Sequence, residues 1–395
     1  MIPPAPRPCP VCASLERRIV HRQRFVDGPL GDGYDVVACT QCGTGFADGV
    51  PSQEEMDRYY SEQSKYTYAS TQGRESPWDF GRFETIVGQV APHLKSPSAR
   101  ILDIGCATGG LLSVFRRHGF TNVIGADPSP ACAEAAGRLH GLNVRVATFA
   151  GLRDWDARFD LVLMVGVLEH LLRAGEAARI ASELLAPGGF LYCAVPDVEG
   201  LALCPNAPYQ QFSVEHVNFF SMRSLDRLMG SCGMAPVGSW RSTVEWRGGV
   251  MEPIVAGLYA RGPAAAPSYD DVTLPALERY VAASREGDTV ILATIESFVR
   301  SREAILVWGA GSLARRLLAT TELAKANIVA FVDSNPHLTG RSLAGRPILG
   351  PEQIAGRKEP ILICSYAFEK EIAEVIRKRY RLANRIMSFT GTNPR

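Results

Sequence analysis

No apolar run in the 395 residues approaches the ~20 that a membrane-spanning helix needs, so the sequence predicts no membrane segment. The opening stretch, MIPPAPRPCP, has no apolar core of a secretory signal. Excess charge is missing too: 42 Lys and Arg meet 41 Asp and Glu. A chain so balanced lacks the basic footprint of a nucleic-acid binder. There are only ten cysteines, four of them in two C-x-x-C pairs and the others scattered in apolar surroundings. That usage argues against a disulfide framework and for a cytoplasmic, metal-holding chain. No internal repeat of short period is present. What remains is an ordinary globular composition, 46% hydrophobic, in a chain long enough for two or three domains.

The pattern along the chain divides it into five stretches. Residues 1–50 are rich in Cys, Gly and Pro. Residues 51–98 read as a helical, aromatic-rich cover. In 99–262 short apolar runs alternate with helical segments, which predicts a parallel α/β sheet. Residues 263–301 read as a Pro/Ala-rich linker followed by two polar helical segments. Residues 302–395 form a second α/β block.

CPVC supplies Cys9 and Cys12; CTQC supplies Cys39 and Cys42. Two residues between cysteines let both thiolates meet one tetrahedral ion at ~2.3 Å. The long interval between the pairs is absorbed by a hairpin whose tip carries the Gly, Asp and Pro of FVDGPLGDGY. A structural zinc ribbon is the expectation. A redox pair is the weaker alternative, because it needs only one such motif.

In ARILDIGCATGGLL an apolar strand runs into Asp103, Gly105 and Gly109 and then a helix. This is not the G-x-G-x-x-G cradle of a pyrophosphate. An acid at a strand end without that cradle suits a cationic, phosphate-free cofactor. NVIGADPSP ends a second strand in Asp127 and Pro128, where a carboxylate takes both hydroxyls of a ribose. Phe149, after the third strand, is a cover for an adenine face. FDLVLMVGVLEH carries a fourth strand through Val165 to Glu169–His170. Together these motifs resemble the Rossmann-like class I methyltransferases that use S-adenosylmethionine.

Two Glu–His pairs need an explanation. Glu169–His170 either faces the cleft or closes the strand and caps the next helix. Neighbours in an extended segment point to opposite sides, so one of the two faces the cleft unless the chain has turned. Glu215–His216, in FSVEHVNFFS, either brings a general base over the pocket or packs His216 among Phe212, Phe219 and Phe220. Ser221 is the expected cap of the helix that follows.

The whole series resembles the C-methyltransferases that act on nucleotide-linked 4-keto deoxysugars. They join an N-terminal zinc-binding domain, a methyltransferase domain and a C-terminal Rossmann-like α/β domain. KYTYAST resembles their tyrosine-bearing segment, with Tyr68 the match and Tyr66 the rival; VEHVNFFS resembles their Glu–His segment; RGGVME resembles their Gly–Gly segment. The resemblance implies His216 as base, Tyr68 as donor to an enolate, and His170 and Glu215 in the same pocket. Tyr66 and Arg247 would meet the substrate. Ser213 stands where the family tends to have tyrosine, and Arg247 where it has histidine. The C-terminal turn, VWGAGSLA with Asp333 beyond it, lacks the family's lysine and is expected to pack and wall the cleft. The expected enzyme is thus a monomer or weak homo-oligomer working on a small molecule. The alternatives are an O- or N-methyltransferase and a non-catalytic scaffold.

Overall fold

The computed structural model describes residues 6–62, 73–204, 207–245, 250–263, 268–366 and 368–389. An N-terminal hairpin is made by β1 (Arg17–Arg24) and β2 (Gly33–Cys39), and β3 (Gly45–Asp48) pairs antiparallel with β2. At one end of this ribbon the thiols of Cys9, Cys12, Cys39 and Cys42 converge within 4.8 Å of one another. At the other end the tip enters the C-terminal region. Val26 donates its amide to the Arg315 carbonyl, and the Arg315 guanidinium caps the carbonyl of Asp27.

Two helices follow, Gln53–Glu62 and Pro77–Val90. The second starts where the sequence says it should: Ser76 and Asp79 form a reciprocal capping box, with Pro77 in the first turn.

The central sheet takes β4 (Ile101–Ile104), β5 (Val123–Asp127), β6 (Val144–Val146), β7 (Phe159–Val165) and β8 (Leu185–Pro196). The strand β9 (Asn218–Phe219) leaves that sheet and pairs with β3 instead. β10 (Met234–Glu245) and β11 (Met251–Arg261) complete the central order β10-β11-β8-β7-β4-β5-β6. β11 is antiparallel to both neighbours, whereas the strands from β8 to β6 run parallel. β4 is buried along its whole length, as a parallel strand covered on both faces must be. This is a Rossmann-like α/β fold.

A single helix of 29 residues, Thr273–Ser301, replaces the two segments expected there. Gly287 interrupts the pattern in sequence but not in space. A Cβ there would come within 3.0 Å of Pro208, so the glycine lets a loop press against the helix. The last sheet holds β12 (Ile305–Trp308), β13 (Ile328–Val332), β14 (Ser342–Leu343), β15 (Arg346–Leu349), β16 (Ile361–Ile363) and β17 (Ile386–Met387), in the order β14-β15-β13-β12-β16-β17. Its glycine turn repeats the central one: Asp333 accepts the amides of Ala310 and Asn335, both at 2.9 Å.

Arg7 joins the ribbon to the centre. Its buried guanidinium donates to the carbonyls of Ala47, Val217 and Leu172 and to Oδ1 of Asn218, at 2.7–3.1 Å. Replacing it removes donors from several buried acceptors at once, each worth about 1–3 kcal/mol. Arg7→Met is therefore expected to lower unfolding free energy in urea titrations by roughly 3 kcal/mol or more. Arg18→Ala, which breaks only the exposed pair with Glu278, should change it by less than about 1 kcal/mol.

Candidate active site

A cavity of about 500 Å³ lies over the carboxyl ends of β4, β5 and β7. The turn after β4 needs glycine twice. Gly105 has φ +77° and would bring a side chain within 2.6 Å of Val167; Gly109 has φ +85° and would meet Leu142 at 2.6 Å. Gly109 caps the helix Gly110–Arg117 and is not among the cavity-lining residues, whereas Asp103, Gly105, Asp127, Pro128, Phe149 and Val165 are. Asp127 is held rigidly: its two oxygens accept the amides of Ala107 and Ser129, each at 2.9 Å. Burial, with the charge of Asp127 beside it, pushes Asp103 up to about 8. Burial also raises Asp127, against the two amide hydrogen bonds.

The two Glu–His pairs converge on one cluster. Past β7 the chain turns at Gly166 (φ +68°) into a short 3-10 turn, Leu168–His170. Both members therefore line the cavity, because the chain is no longer extended where they stand. Nor does the pair cap the next helix. That helix starts at Ala174, after Arg173, without a side-chain cap. The second pair reaches the same place because Val217 donates its amide to the Glu169 carbonyl at 2.7 Å. His170 Nδ1 lies 3.0 Å from the Glu215 carbonyl, and the rings of His170 and His216 stand 4.9 Å apart, edge to face. His216 is half-buried in the cavity wall, while Phe212, Phe219 and Phe220 go to the packed cores. Ser221 caps the following helix through the Ser224 amide.

Hydrogen-bond logic fixes the proton on His216. Gln211 donates its amide nitrogen to Glu252 at 3.2 Å, so its oxygen faces His216 Nδ1 at 3.0 Å. That nitrogen must carry the hydrogen, and Nε2 carries the lone pair. His170 Nδ1 lies 3.0 Å from both the Glu215 carbonyl, which can only accept, and the Tyr60 hydroxyl, which can donate or accept, so these contacts alone do not set its tautomer. Glu215 Oε1 accepts from Tyr59 at 2.9 Å. Ser213 tightens the segment by accepting the amides of Glu215 and His216 at 3.2 Å.

Tyr66, Tyr68 and Arg247 fall outside the described residues. The tyrosines seen at the cluster are Tyr59 and Tyr60, from the helix Gln53–Glu62; Tyr60 sits 3.0 Å from His170 Nδ1. Sequence reading missed them, along with Gln211, Glu252 and Glu75. Glu75 accepts from Thr108 at 2.9 Å beside the glycine turn and meets His140 at 3.0 Å. The doubled tyrosine in DRYY was the one visible signal. Phe368, from the C-terminal block, also lines the cavity.

The family described as "Methyltransferase domain" matches residues 78–237, and one described as "C2185-like, N-terminal" matches 301–387. A ubiquinone biosynthesis O-methyltransferase of Chelativorans sp. is 38% identical over 101 residues, covering 24% of this chain and 39% of that protein. The Agrobacterium fabrum protein of the same name is 30% identical over 164 residues, covering 38% and 64%. The chain thus spans less than two thirds of either relative. Among solved structures, the Burkholderia thailandensis 1,6-didemethyltoxoflavin-N1-methyltransferase has 21% identity and a TM-score of 0.42, covering 62% of this chain and 99% of that one. Over residues 78–237 the chain contains a class I S-adenosylmethionine-dependent methyltransferase domain.

Proposed function

We propose that the chain moves a methyl group from S-adenosylmethionine to a carbon beside the ketone of a nucleotide-linked sugar. One observation carries this reading: two imidazoles stand in the same cavity as Asp103 and Asp127, with His216 Nδ1 turned to the Gln211 oxygen. Asp127 takes the ribose hydroxyls, Phe149 covers the adenine, and Asp103 faces the cationic part of the donor. Pro128 and Val165 wall the pocket. A carbon beside a ketone is no nucleophile until it loses a proton. His216 Nε2 takes that proton. Tyr68 donates to the enolate oxygen where charge develops. The enolate carbon then bonds to the methyl group, and the electron pair of the breaking C–S bond goes to sulfur. Tyr66 and Arg247 meet the sugar nucleotide. The reading of sugar and carbon rests on the family resemblance. The O-methyltransferase names of the relatives favour a second reading, in which the same base removes a hydroxyl proton. Mass spectrometry of nucleotide-sugar pools with labelled donor, then NMR to locate the methyl, separates the two.

The four thiols fit a structural zinc. Sγ of Cys9 and Cys42, and of Cys12 and Cys39, stand 3.5 Å apart. Tetrahedral zinc with Zn–S of ~2.3 Å sets that edge near ~3.8 Å. Metal analysis should find one thiol-bound zinc per chain, lost after the double change Cys39→Ser, Cys42→Ser. Zinc content unchanged by that double variant would reject the assignment.

His216→Ala is expected to bind the donor normally and to lose turnover by roughly 10²–10⁴-fold. Gln211→Leu, which frees the tautomer, should fall between that variant and wild type, and His170→Ala should cost less than His216→Ala. Full turnover in His216→Ala would remove it as the base.

Donor affinity should depend on pH through Asp103. The site holds a proton below about 8, and a cationic donor favours the ionised form. Affinity should therefore rise by up to roughly tenfold per pH unit from pH 6 to 8 and level off above. Calorimetry in buffers of different ionisation enthalpy should detect a proton released on binding at pH 7. Stability of the ligand-free chain runs the other way. The raised carboxyl favours the fold at low pH, and that contribution is lost as pH climbs through 8.

A further inference from the structure

We propose that Glu169, His170 and His216 form a binding site for a divalent transition-metal ion, separate from the cysteine cluster. Each offers one ligand atom, and the three atoms lie within 4.8 Å of one another. His170 Nε2 is already 3.8 Å from Glu169 Oε1. An ion ~2.1 Å from each donor needs donors roughly 3.4 Å apart, so side-chain torsions alone close the site.

The surroundings of the two rings match what metal-bound histidines require. A ligating imidazole donates its other N–H to a carbonyl or a carboxylate-linked group, which fixes the ring and makes the ligating nitrogen more basic. With Nε2 of each ring on the ion, His170 Nδ1 faces the Glu215 carbonyl and His216 Nδ1 faces the oxygen of Gln211, itself anchored on Glu252. The backbone around them is pinned as well. The Glu169 carbonyl accepts from Val217, and Asn218 donates its side-chain amide to the carbonyls of Leu168 and Leu171 at 2.6 and 2.8 Å. Gln211 is seated through its own amide on Tyr280 of the long helix at 3.0 Å. Ligands so held lose little freedom on binding.

Two imidazoles and one carboxylate suit zinc, iron(II), cobalt, nickel or copper, and not magnesium or calcium, which prefer oxygen donors. Three protein ligands at a cavity wall leave positions for water or acceptor oxygen. The ion takes the Nε2 lone pair of His216. Given the general-base reading above, on which this consequence rests, occupancy silences the base. The chain is thus a methyltransferase that transition ions inhibit at its own cleft.

The test adds cobalt(II) to the zinc-loaded, full-length chain. The expected result is one further equivalent bound, with visible d–d bands and no sulfur-to-cobalt charge-transfer band, which excludes the thiol site. Gln211→Leu should weaken that binding by roughly 10–100-fold. His170→Ala and His216→Ala should each weaken it further, with circular dichroism unchanged. The single conservative change Glu169→Gln gives a second route if an alanine variant misfolds. Absence of the nitrogen/oxygen-type spectrum in wild type, or cobalt affinity unchanged in both histidine variants, overturns the site. Methyl transfer should fall as cobalt binds and return on adding a chelator too weak to strip the thiol-bound zinc. Binding without inhibition supports the site and overturns the base role of His216, so the two ideas fail separately.

Discussion

The site depends on a piece of backbone pairing that no methyltransferase core needs. β9 abandons the central sheet and lengthens the ribbon, with Phe46 opposite Asn218 and Gly45 opposite Phe219. His216 lies just before that strand, so its position is set by the N-terminal ribbon as well as by the Glu169 turn of the domain whose cavity it lines. Arg7 completes the arrangement. One planar guanidinium with several fixed donors ties the ribbon, the His170 turn and the His216 segment together, a task a lysine ammonium would do poorly. Burial lowers the Arg7 pKa to about 9, yet the group stays charged at neutral pH. The geometry of both histidines is therefore a property of three separate stretches of chain.

The charges in the cavity are arranged against one another. Asp103 and Asp127 are both raised by burial, and the charge of Asp127 raises Asp103 further, which favours a ligand with positive charge there. The two imidazoles line the same cavity, with the buried Glu169 beside them.

The parts of this protein legible in sequence were those written in consecutive residues. The Asp103 turn, Asp127 at the end of β5, the Ser221 cap and the two C-x-x-C pairs each need only local geometry. What escaped was set by distant partners. Gln211 gains its meaning from Glu252 and Tyr280, which no short window contains. Arg7 looked like one cation in a proline-rich start. Glu215 accepts from Tyr59, a residue 156 positions away. The two helical segments expected after residue 263 are one helix, and its Gly287 makes room for the loop that carries Gln211. The second glycine turn was legible as a motif, and Asp333 repeats the hydrogen bonding of Asp127, but repetition of a turn does not say what either turn holds.

The knuckle of Cys39 and Cys42 has one more partner. Asp270, at the head of the long helix, donates its amide to the Cys42 carbonyl at 2.9 Å, and its own backbone sits where a Cβ on Gly43 would be. Its carboxylate is buried on Ser221 and Thr273. The ribbon is thus finished only by residues far downstream. During synthesis the four cysteines leave the ribosome early, but β9 and Asp270 follow much later. Until they emerge, the ribbon has an unpaired edge at β3 and an uncovered knuckle. A metal captured early would hold that hairpin in shape while it waits.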